Sequence, residues 1–308
     1  MIRYLENMKR IQAILLIFIF TSGIFSEIKA ENLIFPDQEK SNTGGCKLTA
    51  EIVGGQIEIS YEYDSLDRLT VKNFIKQNYK EVYTYDKDGF LVKITNNSEN
   101  PYTIDFVYNN NLLVLKTITH IYVSTPQVFK YEYSAAGELI KMSETLMTTT
   151  VTEFLNGKVV KITNPFISYE LNDLGLVIKS KSIAGTQTEN IYKYDKNHML
   201  SVQEIYSEPG KKIMYTEYKN TKIKKSNLGD EFINTYKGLP RFSDPYGDKS
   251  YYVSGMSHFS ANVETGQFEK SFSTENSLTI DTSGRLVNSL NLNNISSPVR
   301  EYVYSGCK

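Results

Sequence analysis

The chain has 308 residues, 34 Lys or Arg against 35 Asp or Glu, 23 tyrosines, no tryptophan, two cysteines and three histidines. Balanced charge without a cationic cluster argues against a nucleic-acid partner, since phosphate binding needs a basic patch. His120, His198 and His258 lie far apart at no metal-ligand spacing, so no metal is expected.

Arg3, Lys9 and Arg10 precede an apolar run over residues 11–25, and small Ala30 follows. A basic start, a short apolar core and a small exit residue predict a signal peptide over 1–30 and a secreted, periplasmic or cell-surface address. The run is shorter than the ~20 residues a membrane helix needs, so no membrane span is expected once it is removed. The remainder carries 30 basic and 33 acidic residues.

Residues 31–50 form a polar lead-in that ends near Cys46. The other cysteine, Cys307, is next to the C-terminus. In an oxidising compartment the two are a disulfide candidate that would staple the first strand to the last.

Residues 51–308 are predicted as a β-hairpin repeat domain. In Tyr83-Thr84-Tyr85-Asp86-Lys87-Asp88-Gly89-Phe90-Leu91, alternation puts both tyrosines on one face of a strand. Asp86 opens a turn, Gly89 closes it at positive φ, and Leu91 begins the return. Asp64 and Asp67 occupy the same two positions in a second copy, and Asp195 with His198 in a third. Asp and His are among the non-glycine residues that tolerate positive φ. Ser134 with Gly137, and Asp281 with Gly284, give two more copies. Asn156-Gly157 is the two-residue version. The residues before successive turns, from Tyr63 to Tyr236, are 17 to 25 apart, which is the length of one hairpin and its connection.

This unit resembles the YD repeat of Rhs and teneurin-type proteins, roughly Tyr-Asp-x-x-Gly-Arg-Leu, with the best copies at Tyr85 to Leu91 and Asp281 to Leu286. The resemblance covers most of 57–240 and then 278–290. It implies a curving β-shell and an extracytoplasmic setting. No self-cleaving core or toxin segment accompanies it.

The predicted fold is therefore all-β, an antiparallel meander of repeated hairpins in a long curved sheet or a wide barrel-like shell of 18 to 24 strands. Residues 240–276 break the rhythm with Pro240, Pro245, Gly247, Gly255 and Gly266, and read as an irregular insert. Its Tyr246, Tyr251, Tyr252, His258 and Phe259 are the candidate binding residues, because irregular segments on regular scaffolds often carry function.

No nucleophile elbow, phosphate loop or dinucleotide fingerprint is present, and Asp86-x-Asp88-Gly89 lacks the later ligands of a calcium loop. The expectation is a non-enzymatic binding or structural module with no cofactor, acting on a glycan or a surface protein through its tyrosines. The alternatives are an outer-membrane barrel and an envelope hydrolase with its site in 240–276.

Overall fold

The computed structural model describes residues 46–183, 188–208, 210–224, 245–246, 251–262, 265–283, 285–293 and 298–306. The predicted signal peptide and most of the lead-in, together with Gly284 and Cys307, lie outside the described residues. Residues 34–308 form one compact unit that holds every strand.

The described residues are all-β, with twenty strands. The first ten are β1 Lys47–Val53, β2 Gln56–Tyr63, β3 Leu69–Phe74, β4 Tyr79–Tyr85, β5 Leu91–Asn96, β6 Tyr102–Asn109, β7 Leu112–His120, β8 Gln127–Tyr133, β9 Leu139–Thr145 and β10 Thr149–Leu155. The rest are β11 Lys158–Thr163, β12 Ile167–Leu171, β13 Val177–Ser182, β14 Glu189–Tyr194, β15 Leu200–Glu208, β16 Lys211–Lys224, β17 Tyr251–Ala261, β18 Phe268–Ile280, β19 Leu286–Asn291 and β20 Arg300–Ser305. Two expectations shift. Lys47 to Ala50, read as lead-in, belong to β1; residues 251–261 and 268–276, read as irregular, belong to β17 and β18. Ladder bonding to long neighbours overrides the weak strand propensity of Gly255 and the serines.

Each described strand except β11 pairs antiparallel with the next in sequence, and β20 pairs back onto β1, so the meander bends into a nearly closed barrel. No register joins β11 to β12. The two stay side by side nonetheless: a Cβ built on Gly175, in the turn after β12, would lie 2.4 Å from the Val159 carbonyl of β11.

The turns of the repeat stand on one rim, and one local device builds them. The Asp64 carboxylate accepts the Leu66 and Arg68 amides at 2.9 and 3.0 Å, and its carbonyl accepts the Asp67 amide at 3.0 Å. Asp86, Asn172, Asp195 and Asp281 bond the amides two and four residues on in the same way. Ser134, with a shorter side chain, makes only the longer of the two, at 3.2 Å. The turns close at positive φ, 87° at Gly89, 81° at Gly137, 65° at Asp67 and 62° at His198, while Asn156 and Gly157 take 52° and 73°.

A second device locks neighbouring repeats together. Tyr85 donates its hydroxyl to the Leu69 carbonyl at 2.9 Å, Tyr108 to Leu91 at 2.9 Å, Tyr133 to Leu113 at 2.7 Å, and Tyr194 to Val177 at 2.6 Å. Each acceptor is the first or, for Leu113, the second residue of the return strand in the preceding hairpin, and each is fully buried. The tyrosine thus packs its ring in the core and spends its one polar atom on a backbone carbonyl. Arg68 completes the motif: its guanidinium grips Asp64 at 2.7 Å and lies 4.4 Å over the Tyr85 ring of the next repeat. Arg285 does the same with Asp281 and Tyr304.

Alternation leaves one buried face, where Tyr61, Leu69, Tyr83, Ile94, Phe106, Tyr131 and Phe154 pack into a common cluster. The opposite face is the outer wall. It carries cross-strand ion pairs, among them Lys141–Glu132 at 2.8 Å, Lys161–Glu153 at 2.9 Å and Lys179–Glu189 at 2.9 Å.

Candidate functional site

On β14 to β18 the inner face changes character. Because side chains alternate, the register places Tyr192 beside Gln203, Gln203 beside Thr216, Thr216 beside His258, and His258 beside Phe272. The five form one continuous row across five strands. Thr216 Oγ1 and His258 Nδ1 share a hydrogen bond at 2.9 Å, and the His258 ring stacks on Phe272 at 5.2 Å and 18°. At the other end, the Tyr192 hydroxyl pairs with Ser180 Oγ at 3.2 Å.

A second row runs Tyr218, Met256, Thr274, again by direct cross-strand pairing. With Val253, Gly255 and Asn276 it lines an open groove of about 250 Å³. Gly255 makes room for the sheet here. A Cβ at that position would stand 2.6 Å from the Thr274 carbonyl, closer than two such atoms can approach. The groove has an aromatic ring, a thioether and two short polar side chains. Its volume falls below the ~300 Å³ at which drug-sized pockets begin, and suits a single small ring.

The electrostatics are those of an uncharged wall. Burial pushes the Tyr192 and Tyr218 hydroxyls up and that of Tyr169 to about 12, so all three stay protonated donors. Burial pushes His258 down, so its imidazole is neutral at pH 7. No group of three or more His, Cys, Asp or Glu residues that could hold a metal ion occurs among the described residues.

The candidate binding residues separate. Tyr246 packs edge-on to Tyr192 at 5.4 Å, and the carbonyl of its neighbour Pro245 accepts the Val177 amide at 2.6 Å, so this part of the insert reaches the inner wall. His258 is in the first row. Phe259, one residue on, faces the opposite side of the sheet, where it stacks on Tyr215 at 4.5 Å and 7°. Tyr252 is half-buried and its carbonyl accepts the Thr221 hydroxyl at 2.7 Å; Tyr251 opens β17 opposite Lys224. The turn residues Asp64, Asp67, Asp86, Gly89, Gly137, Gly157, Asp195 and Asp281 sit on the rim and play their part in backbone geometry. Sequence reasoning missed Gln203, Thr216, Met256, Thr274 and Asn276. They are ordinary strand residues, and only the register of four strands brings them together.

No protein-family model and no curated protein matches the chain. Solved structures with a similar course include a TcdB2–TccC3–Cdc42 complex, at 12% identity and a TM-score of 0.36, covering 81% of this chain and 15% of that one. A porin-like protein from Bacteroides uniformis matches at 13% identity and 0.26, over 66% of this chain and 94% of that one. The Tc holotoxin pore of Photorhabdus luminescens matches at 10% identity and 0.25, over 77% and 12%. The chain thus spans a small fraction of the Tc chains it matches.

Proposed function

We propose that the chain is an exported, non-enzymatic YD-repeat-like β-shell that acts at the cell envelope or surface as a binding module for a neutral glycan. The observation that carries this reading is the groove beside Tyr218, a concave inner-wall site with one aromatic platform and short hydroxyl and amide side chains around it. A sugar ring offers a CH face for stacking and hydroxyls for hydrogen bonds, and an uncharged wall suits an uncharged saccharide. The setting of Thr216 and His258 supports the non-enzymatic reading. Both lie within paired strands, where backbone amides serve the ladder and are not free to stabilise an oxyanion.

Sheet closure would also serve an outer-membrane barrel, but that fold needs an apolar band facing lipid. The outer wall here carries the ion pairs Lys141–Glu132, Lys161–Glu153 and Lys179–Glu189, which would be costly to place in hydrocarbon.

The test is a melting-temperature screen of residues 34–308 against a panel of envelope and host glycans. A saturable shift for one neutral sugar class that is lost in Tyr218→Ala supports the reading. A folded chain with no shift for any sugar removes the glycan and leaves a protein ligand or a structural role.

A further inference from the structure

The rim opposite the repeat turns has a surface that the glycan reading leaves unused. Three successive connections stand there, β7–β8, β9–β10 and β11–β12. On them Ile121 is 71% exposed, Tyr122 74%, Met147 90% and Phe166 54%. The residues of these connections, 121–126, 146–148 and 164–166, include no Asp, Glu, Lys or Arg. The repeat turns at the other rim are the reverse, with Asp64, Asp67, Asp86, Asp88, Asp173, Asp195 and Asp281. Adjacent connections on one rim are two strands apart, so the tips stand about 10 Å from one another and the ridge runs for about 20 Å.

We infer that this ridge docks on a lipid surface, with Ile121, Tyr122, Met147 and Phe166 entering the headgroup and upper acyl region. Large apolar side chains held out at hairpin ends cost free energy in water unless something covers them. Three features favour lipid as the cover. The connections bring no charge to desolvate, so insertion carries no ionic penalty. The side chains stand on separate tips, and acyl chains fill the spaces between them, whereas a second copy would meet the same tips head on. Tyr122 joins a ring to a hydroxyl, the combination that settles at the boundary between apolar and wet layers. With no Lys or Arg in the ridge, docking needs no anionic lipid, and phosphatidylcholine is sufficient. The inference does not depend on glycan binding.

The chain has no tryptophan, which makes a clean reporter available. Tyr122→Trp is placed in residues 34–308, the unit that holds every strand, and phosphatidylcholine vesicles are added. The expected result is a blue-shifted emission that brominated phosphatidylcholine quenches, while Leu66→Trp, at 70% exposure on the other rim, shows neither. In vesicle flotation, Met147→Asp combined with Ile121→Asp should weaken partition at least tenfold, with circular dichroism unchanged. Three results overturn the inference: no spectral change at position 122, equal changes at 122 and 66, or a lipid-free dimer by light scattering that the aspartates abolish.

Discussion

Leu48 and Tyr304 pair across β1 and β20 in the register that joins Tyr63 to Leu69 and Tyr85 to Leu91 within single hairpins. The closing contact is thus one more copy of the repeat, assembled from the two ends of the chain. Its tyrosine follows the same rule, since Tyr304 donates to the Leu286 carbonyl at 2.8 Å, and Tyr63 donates to Leu48 at 2.8 Å. Leu48 is 2% exposed, so Leu48→Ala should cost about 2–5 kcal/mol. Tyr304→Phe, which keeps the ring and loses one hydrogen bond, should cost about 1 kcal/mol. Urea denaturation of both variants checks the pair, and a Tyr304→Phe cost as large as that of Leu48→Ala would mean that closure does not rest on burial.

Where other hairpins have a turn, this one has Cys46 and the end of the chain. Lys47 pairs with Ser305, so β20 ends beside Cys46. A Cys46–Cys307 disulfide would replace the missing turn with a covalent link. Closing so long a loop stabilises by roughly 5 kcal/mol on the chain-entropy model. A thiol titration in denaturant without reductant should find no free thiol, and reductant should lower the urea midpoint; two free thiols would dispose of the link.

Gly175 and Gly157 share a positive φ, 79° and 73°, yet differ in surroundings. A methyl at Gly175 collides with the Val159 carbonyl, while nothing lies within 4 Å of one at Gly157. Gly157→Ala should therefore cost only the backbone strain of about 1–2 kcal/mol. Gly175→Ala should cost more, on the order of 3 kcal/mol, because the β11–β12 contact must also give way. Equal costs would show that the two strands are not held together by that turn.

Burial holds the His258 pKa below its usual value. The unfolded chain binds the proton more readily, so its contribution to stability is complete above about pH 6.5 and is lost as the pH falls through the folded value. His258→Gln should flatten the fall in urea midpoint as the pH drops below about 6.5, relative to the parent chain. An unchanged slope would show that His258 is as accessible to protons folded as unfolded.

The repeat was legible because its turn is local. Asp86 and Gly89 carry the whole instruction within four residues, and Asp67 and His198 are substitutions that the backbone geometry tolerates. The ring was less legible. Tyr302-Val303-Tyr304 and Lys47-Leu48 are two halves of one repeat separated by the length of the chain, and no window along the sequence contains both. β17 was hidden for a different reason: Ser254, Gly255, Ser257 and Ser260 have little preference for a strand, and the ladders to β16 and β18 decide their conformation. The groove was least legible, since Tyr218, Met256 and Thr274 face one another only through the register of three strands. His258 was found, but its neighbour Phe259 was grouped with it although strand alternation sends the two to opposite sides.

The missing ladder between β11 and β12 reverses where such a protein should be weakest. Proteins commonly fray at their outermost strands, but here the first and last described strands, β1 and β20, share one ladder and the unbonded step falls between β11 and β12. In hydrogen exchange, the amides on the facing edges of Lys158–Thr163 and Ile167–Leu171 should trade first, before those of the terminal strands. The molecule behaves as a split ring whose cut lies opposite its clasp, able to widen without parting β1 from β20.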